Sequence, residues 1–279
     1  MADYAFQTQF RQETVEGFEQ RSTLLRAAVT TEAVMKGNIA TFLVASSGGR
    51  SAVTRGVNGR YPAGVNSLAQ VSATLVEWTD LALVTDFNVF ASQGNQKLIL
   101  QQECIGVLNR KVDDDIIGGL DTATIDTGAA TTADLGLVVK AKVILGNAQV
   151  PVNEADNMFA LVSPAFMGYM LQIPEFASAD YVNVKPLAGP MASYPRYMGL
   201  NWIEHPRLTG VGTAAEKCYI FHRAAIGHAV NSGAMDVAIG YNEEQAYSFA
   251  RSTAFMGTAV LQNTGIVQII HDGSAYVGT

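Results

Sequence analysis

The sequence predicts an α+β fold in which much of the surface is reserved for other chains. Three observations carry this. Candidate helices and strands do not alternate as regular βαβ units, which argues against a doubly wound sheet. From Gln96 onward apolar residues recur every three or four positions with no proline before Pro151, the period of one long helix. The 279 residues are 48% hydrophobic but only 15% charged, against roughly 25% charged in an ordinary soluble domain. A chain so short of charge is expected to cover part of its surface with neighbouring chains.

In chain order, residues 1–37 form an arm. Phe6, Phe10, Val15 and Phe18, followed by LLRAAV, punctuate polar runs, and this weakly amphipathic spacing needs another surface to lie on. ATFLVAS (40–46) is a short apolar strand. AQVSATLVEW (69–78) alternates Val71, Ala73 and Leu75 against Gln70, Ser72 and Thr74, as a second strand does. Between them SGGRSAVTRGVNGRYPAGVNS holds five glycines, Pro62 and three arginines. The two strands predict a long hairpin with a wide tip, too apolar to stand alone in water and so expected to lie on a neighbouring molecule.

Leu98, Ile105, Leu108, Val112 and Ile116 then predict a helix from Ser92 to Ile117, ended by Gly118-Gly119, since paired glycines favour termination. After a linker rich in Thr, Ala and Gly (121–132), a second helix is expected. Thr132 is its cap, Asp134 lies in its first turn, Leu137, Val138, Ala141, Ile144 and Leu145 make its apolar face, and Gly146-Asn147 stops it. MFALV predicts a buried strand, followed by a helix opening at Ser163 and a proline-rich crossing from Lys185 to Pro195. YMGLNWIEH, KCYIFHRAAIGHAV, AYSFARSTAFMGTAVL and GIVQIIH are further strands.

Several function classes are disfavoured at this level. No run of about 18 apolar residues occurs, so a membrane-spanning helix is not expected. The polar, mixed-charge start lacks a basic region followed by an apolar stretch, so cytoplasmic synthesis is expected. The formal charge is −7 and the 18 Lys+Arg are spread singly, without the basic stripe that neutralises phosphates. Cys104 and Cys218, far apart, are expected to be buried thiols rather than a disulfide framework.

Candidate chemistry is thin. Ser163 follows an apolar strand and opens a helix, the position of a nucleophile elbow. Its flanks are Leu161 and Ala165, and the next residue is Pro164, which has no N–H to donate to an oxyanion. Ser followed by Pro is instead a preferred helix start, so Ser163 is a cap. GVGTAA (210–215) imitates a dinucleotide fingerprint but sits before the strand KCYIFH, so a glycine-rich turn is expected. His222 and His228, with His205, could supply ligands, yet their spacing lacks the short pairs typical of zinc sites, and core or interface roles are expected. Asp113, Asp114 and Asp115 would project about 100° apart on a helix and cannot converge on one ion. They are expected on a solvated face or against basic groups. No catalytic, cofactor or metal site is expected.

The order of parts, with the phrases LVSPAFMGYML, PEFASADY and GIVQIIHDG, resembles the major capsid proteins of tailed bacteriophages, whose HK97-like fold is shared with encapsulins. The resemblance runs over nearly the whole chain. It implies an N-terminal arm over 1–37, an extended hairpin or E-loop over 38–90 and a peripheral domain with a spine helix over 91–132. An axial domain would follow over 133–230, with strands at 231–279 passing through the peripheral domain and closing back on the axial one. It further implies self-assembly through hexamers and pentamers into an icosahedral shell around a packaged genome, in a virion assembled in the host cytoplasm. Scaffolding, portal and decoration proteins would be further partners, DNA would be met only by weak non-specific proximity, and no membrane would be involved. An encapsulin-type compartment shell, or a non-viral homo-oligomeric binding module, is the alternative.

Some members of that family weld the E-loop to a neighbour through a lysine. Between Gly37 and Gln96 this chain has none; its basic groups there are Arg50, Arg55 and Arg60. A guanidinium is a poor nucleophile but a good partner for carboxylates. The expected shell is therefore non-covalent. Arg50, Arg55, Arg60 and Tyr61, the arm residues Phe6, Phe10 and Phe18, and the acidic recipients Asp113, Asp114 and Asp115 are the interface candidates.

Overall fold

A computed structural model describes residues 20, 22–34, 37–47, 49–64, 66–85, 96–174, 196–231 and 236–276. Phe6, Phe10 and Phe18, the start of the long helix at Ser92, the phrase PEFASADY beyond Pro174 and the crossing from Lys185 to Pro195 lie outside the described residues.

Among the described residues three helices and twelve strands are formed. The helices are α1 (Gln96–Asp121), α2 (Leu135–Asn147) and α3 (Pro164–Leu171). The strands are β1 (Thr30–Val34), β2 (Ile39–Ser46), β3 (Ser67–Thr74), β4 (Val76–Thr85), β5 (Met158–Val162), β6 (Arg196–Tyr197), β7 (Leu200–Glu204), β8 (Glu216–His222), β9 (Ile226–Asn231), β10 (Asp236–Asn242), β11 (Tyr247–Val260) and β12 (Ile266–His271). One five-stranded sheet runs β1-β9-β11-β10 with β4 also on β11; a second runs β12-β8-β5-β7-β6. Among the described residues β2 and β3 pair only with each other, in antiparallel register from Ile39 opposite Thr74 to Ser46 opposite Ser67.

The long strand β11 alternates. Ser248, Ala250, Ser252, Ala254 and Met256 are buried while Arg251 and Phe255 are exposed, so small residues on one face let α1 lie close. α1 answers with a buried stripe of Cys104, Leu108, Val112, Ile116 and Leu120 at four-residue spacing. In the second sheet β5 is buried along its whole length, as a central strand covered on both faces must be. Phe166 and Met170 of α3 are fully buried, and the Phe166 ring lies 6.4 Å from that of Trp202 on β7.

Four expectations need correction. α1 does not end at Gly118-Gly119 but runs on to Asp121, because Leu120 is fully buried and Gln268 of β12 gathers the carbonyls of Leu120, Asp121 and Ala123 through its Nε2. The stop is a side chain from 145 residues or more away. Gly119 serves packing instead: a Cβ there would stand 2.6 Å from Thr258 Cγ2. The cap of α2 is Asp134, whose Oδ1 accepts from the Leu137 N–H at 2.9 Å, rather than Thr132.

The run 69–78 is divided at Leu75, β3 joining β2 and β4 joining β11. Likewise 217–230 is divided by a 3₁₀ turn at Arg223–Ala225, β8 going to the second sheet and β9 to the first. At the hairpin root the Leu75 N–H donates to Asn38 O at 2.8 Å. There Gly257 of β11 passes so close that a Cβ would stand 2.2 Å from the Thr74 carbonyl oxygen.

Candidate functional site: assembly surface

The hairpin buries little of itself. Ala40, Phe42, Ala73 and Ala229 make a small cluster at its root, while Ile39, Leu43 and Leu68 stay exposed along its length. At the tip Val53, Val57 and Tyr61 are exposed too. The tip holds its shape by local means: Gly49 and Gly59 take positive φ, and the Gly59 N–H closes a turn on Gly56 O at 2.8 Å. Arg50 Nε donates to Ser47 O at 3.1 Å. The Arg55 guanidinium stacks over Tyr61, 4.3 Å from the ring centroid, and bonds its hydroxyl. Arg55 and Tyr61 thus present one cationic-aromatic surface. Arg60 contributes its carbonyl to the turn, accepting from Gly56 N–H, and its residue is exposed.

A second apolar surface went unnoticed in the sequence. On β4 Leu81 and Leu83 are exposed, opposite Arg251 and Phe249 of β11, and Phe255 is exposed further along β11. The signal was there, because Leu81 and Leu83 alternate with Ala82 and Val84. An uninterrupted apolar run hides which face is wet.

The acidic triplet is spent largely inside the subunit. Asp113 is fully buried: its carboxyl accepts from Leu24 N at 3.0 Å, Leu25 N at 3.2 Å and Gln20 Nε2, and His205 Nε2 stands 3.5 Å away. A neighbour's arginine cannot reach it. Asp114 pairs with Arg207 at 2.5 Å, and Asp115 accepts from Thr258 Oγ1 at 2.6 Å. The solvated-face expectation fails for Asp113 because the preceding chain segment closes over it. The histidines are not brought together, and among the described residues no group of three or more His, Cys, Asp or Glu could hold a metal.

Ser163 caps α3, accepting from Phe166 N–H at 3.2 Å. It also belongs to a buried polar cluster that the sequence did not reveal. Its hydroxyl donates to Glu216 Oε2 at 2.6 Å and lies 3.1 Å from His271 Nε2, itself 3.0 Å from Glu216 Oε2. Its N–H points at Cys218 Sγ at 3.3 Å, and Gly212 N–H donates to Glu216 Oε1 at 2.6 Å. The glycine-rich turn thus binds a carboxyl of its own chain. A serine, a histidine and an acid invite comparison with a hydrolase triad. There the acid holds Nδ1 while the serine meets Nε2, whereas here both crowd Nε2. Ser163, Glu216 and His271 are all buried, and the oxyanion donor is missing at Pro164. Burial lowers the His271 imidazole despite Glu216, and burial pushes the Cys218 thiol up to about 12. The cluster ties β12 to β8 and to the start of α3. Cys104, also buried, is pushed up to about 11, chiefly by burial, and both thiols are free.

A hairpin with its own strands and almost no core, together with an exposed apolar sheet face, defines a protein built to be covered by other subunits. The comparisons give the class. A family model described as phage capsid protein matches residues 2–272, and the chain belongs to that family. No curated protein matches it. Among solved structures, one from Mycobacterium phage Che8 superposes with a TM-score of 0.73 at 16% identity, over 96% of this chain and 98% of that one. The capsid of Ralstonia phage GP4 gives 0.74 at 9%, over 99% and 98%. The capsid of a native GTA particle gives 0.72 at 14%, over 97% and 96%. At such identities the superpositions speak for the fold, which is HK97-like, and the family match makes the chain a major capsid protein that forms the shell.

Proposed function

We propose that this chain builds a non-covalent icosahedral shell of hexamers and pentamers around a packaged phage genome, without a catalytic step of its own. The observation that carries it is the hairpin. Among the described residues β2 and β3 pair with no other strand and Ile39, Leu43 and Leu68 are exposed, and the tip offers three arginines and no lysine. Laid on a neighbouring subunit, the hairpin buries Ile39, Leu43 and Leu68, while Arg50, Arg55, Arg60 and Tyr61 reach polar groups beyond them. The arm aromatics Phe6, Phe10 and Phe18 bind a neighbouring copy as well. The spans 38–90, 91–132 and 133–230 act as overlapping hairpin, peripheral unit and axial unit, with the sheet change at Arg223–Ala225 marking the join.

With a formal charge of −7 the shell repels packaged DNA and touches it only weakly. Assembly takes place in the host cytoplasm and the product resides in the virion; scaffolding, portal and decoration proteins are its further partners. Purified protein examined by negative-stain microscopy and sedimentation is expected as closed particles or rings. A monomer at every concentration and ionic strength would overturn the proposal. Denaturing gels of mature particles should show monomer alone, and a ladder of cross-linked species would refute the non-covalent part.

A further inference from the structure

The seat of α1 on the first sheet contains an oddity that assembly does not explain. His228 of β9 is fully buried, and among the described residues neither ring nitrogen has a hydrogen-bond partner. Buried polar atoms are nearly always bonded, and each exception calls for a reason. Its surroundings are specific. Asp115 Oδ2 of α1 stands 3.9 Å from Nε2, beyond hydrogen-bond reach. That oxygen is held by the hydroxyl of Thr258 at 2.6 Å, and Thr258 is the cross-strand partner of His228 on β11. One turn along the helix Gly119 meets the same threonine, where a Cβ would come within 2.6 Å of Thr258 Cγ2. Helix and sheet touch with no room between them.

We propose that His228 is a proton-operated latch for α1: the uncharged ring lets the helix lie flush on β9 and β11, and a proton on the ring lifts it. The charged groups facing the ring are Asp115 and Asp113 from α1 and Arg26 from the 3₁₀ turn Arg26–Ala28. On the flanking strands its direct partners are Thr31 of β1 and Thr258 of β11, both neutral. Burial is the largest influence and lowers the imidazole; Asp115 and Asp113 oppose it, and Arg26 adds to it. A histidine held lower in the seated state than in an opened one binds more protons when opened. The seated state is therefore favoured above about pH 6.5 and loses ground as pH falls below it. Asp115 is bonded to Thr258 in the seated state and can turn to the imidazolium only by releasing that hydroxyl, which undoes the contact under the helix.

The test is amide hydrogen exchange of the full-length protein at pH 7.5 and 5.5, corrected for intrinsic rates and read over 110–121 and 226–231. Opening of these segments is expected to rise by up to about tenfold at pH 5.5 in the wild type, and to change less than about twofold in His228→Gln. A wild type with no pH-dependent opening, or a variant that keeps the full effect, overturns the latch. Should His228→Gln fail to fold, exchange at the imidazole C2 of wild-type His228 decides. A slowly exchanging ring titrating below about pH 6.5 is expected, and a midpoint at or above that value overturns the proposal.

Discussion

The Ser163 hydroxyl meets the Phe166 N–H, Glu216 and His271 at once. Its replacement by alanine therefore removes a cap, worth about 1 kcal/mol, and also takes a donor from the buried Glu216 carboxyl, worth a further ~1–3 kcal/mol. Chemical denaturation of Ser163→Ala should show a loss nearer the sum than the cap alone; a loss under about 1 kcal/mol would mean that water or His271 replaces the hydroxyl. Aspartate, another good cap in isolation, is excluded here, because its carboxyl would face Glu216 in a fully buried site. Ser163→Asp should be less stable than Ser163→Ala at neutral pH. The cap itself was legible in the pair Ser163-Pro164, since capping is local. Glu216 and His271 were not, because they lie 53 and 108 residues away and are brought in only when β12 closes on β8.

At the level of elements, the two glycines of α1 behave oppositely although they are adjacent. Around Gly118 an added Cβ meets nothing within 4 Å, whereas at Gly119 it meets Thr258. Gly118→Ala should stabilise the protein by about 0.5–1 kcal/mol and Gly119→Ala should destabilise it by about 1–3 kcal/mol through overpacking. Thermal denaturation of both single variants checks the opposite signs, and equal signs would refute the close seat of the helix. The sequence showed the existence of α1 through its four-residue period but misplaced its end, because a glycine pair ends a helix only when nothing beyond it is buried. MFALV was legible to the residue as β5, being short, wholly apolar and bounded by polar turns. The divisions at Leu75 and Arg223–Ala225 were not, since an apolar run carries no mark of which sheet each half will join.

For the whole molecule, the legible part was the kind of solution the chain adopts, with charge scarce and a hairpin unable to stand alone. The contacts were not legible, because Asp113 is an acceptor for backbone N–H groups of Leu24 and Leu25, and no local pattern announces that a carboxyl will be enclosed. The inter-subunit contacts proposed for the tip arginines would be exposed, each worth about 0–1 kcal/mol and screened by salt, so their effect would come from repetition. Particles of the triple variant Arg50→Ala/Arg55→Ala/Arg60→Ala should fall apart at lower salt or temperature than wild type. Unchanged disassembly would reduce the arginines to solubilising groups.

Gly257 turns the root of the hairpin into a lever. The chain passes the Thr74 carbonyl where a single methyl group would not fit, and the paired strands then run outward for eight residues each, about 24 Å. The fulcrum is only one interstrand spacing wide, about 4.8 Å, so a 1 Å push at the root swings the far end by roughly 5 Å. That is enough to move a guanidinium from one partner to the next. Gly257→Ala must displace the Thr74 backbone, so it should cost stability, and the subunits that still fold should meet their neighbours at a changed angle. The readout is geometric: a shifted or broadened distribution of particle diameters under the microscope, where unaltered diameters would show that the root yields without steering the arm.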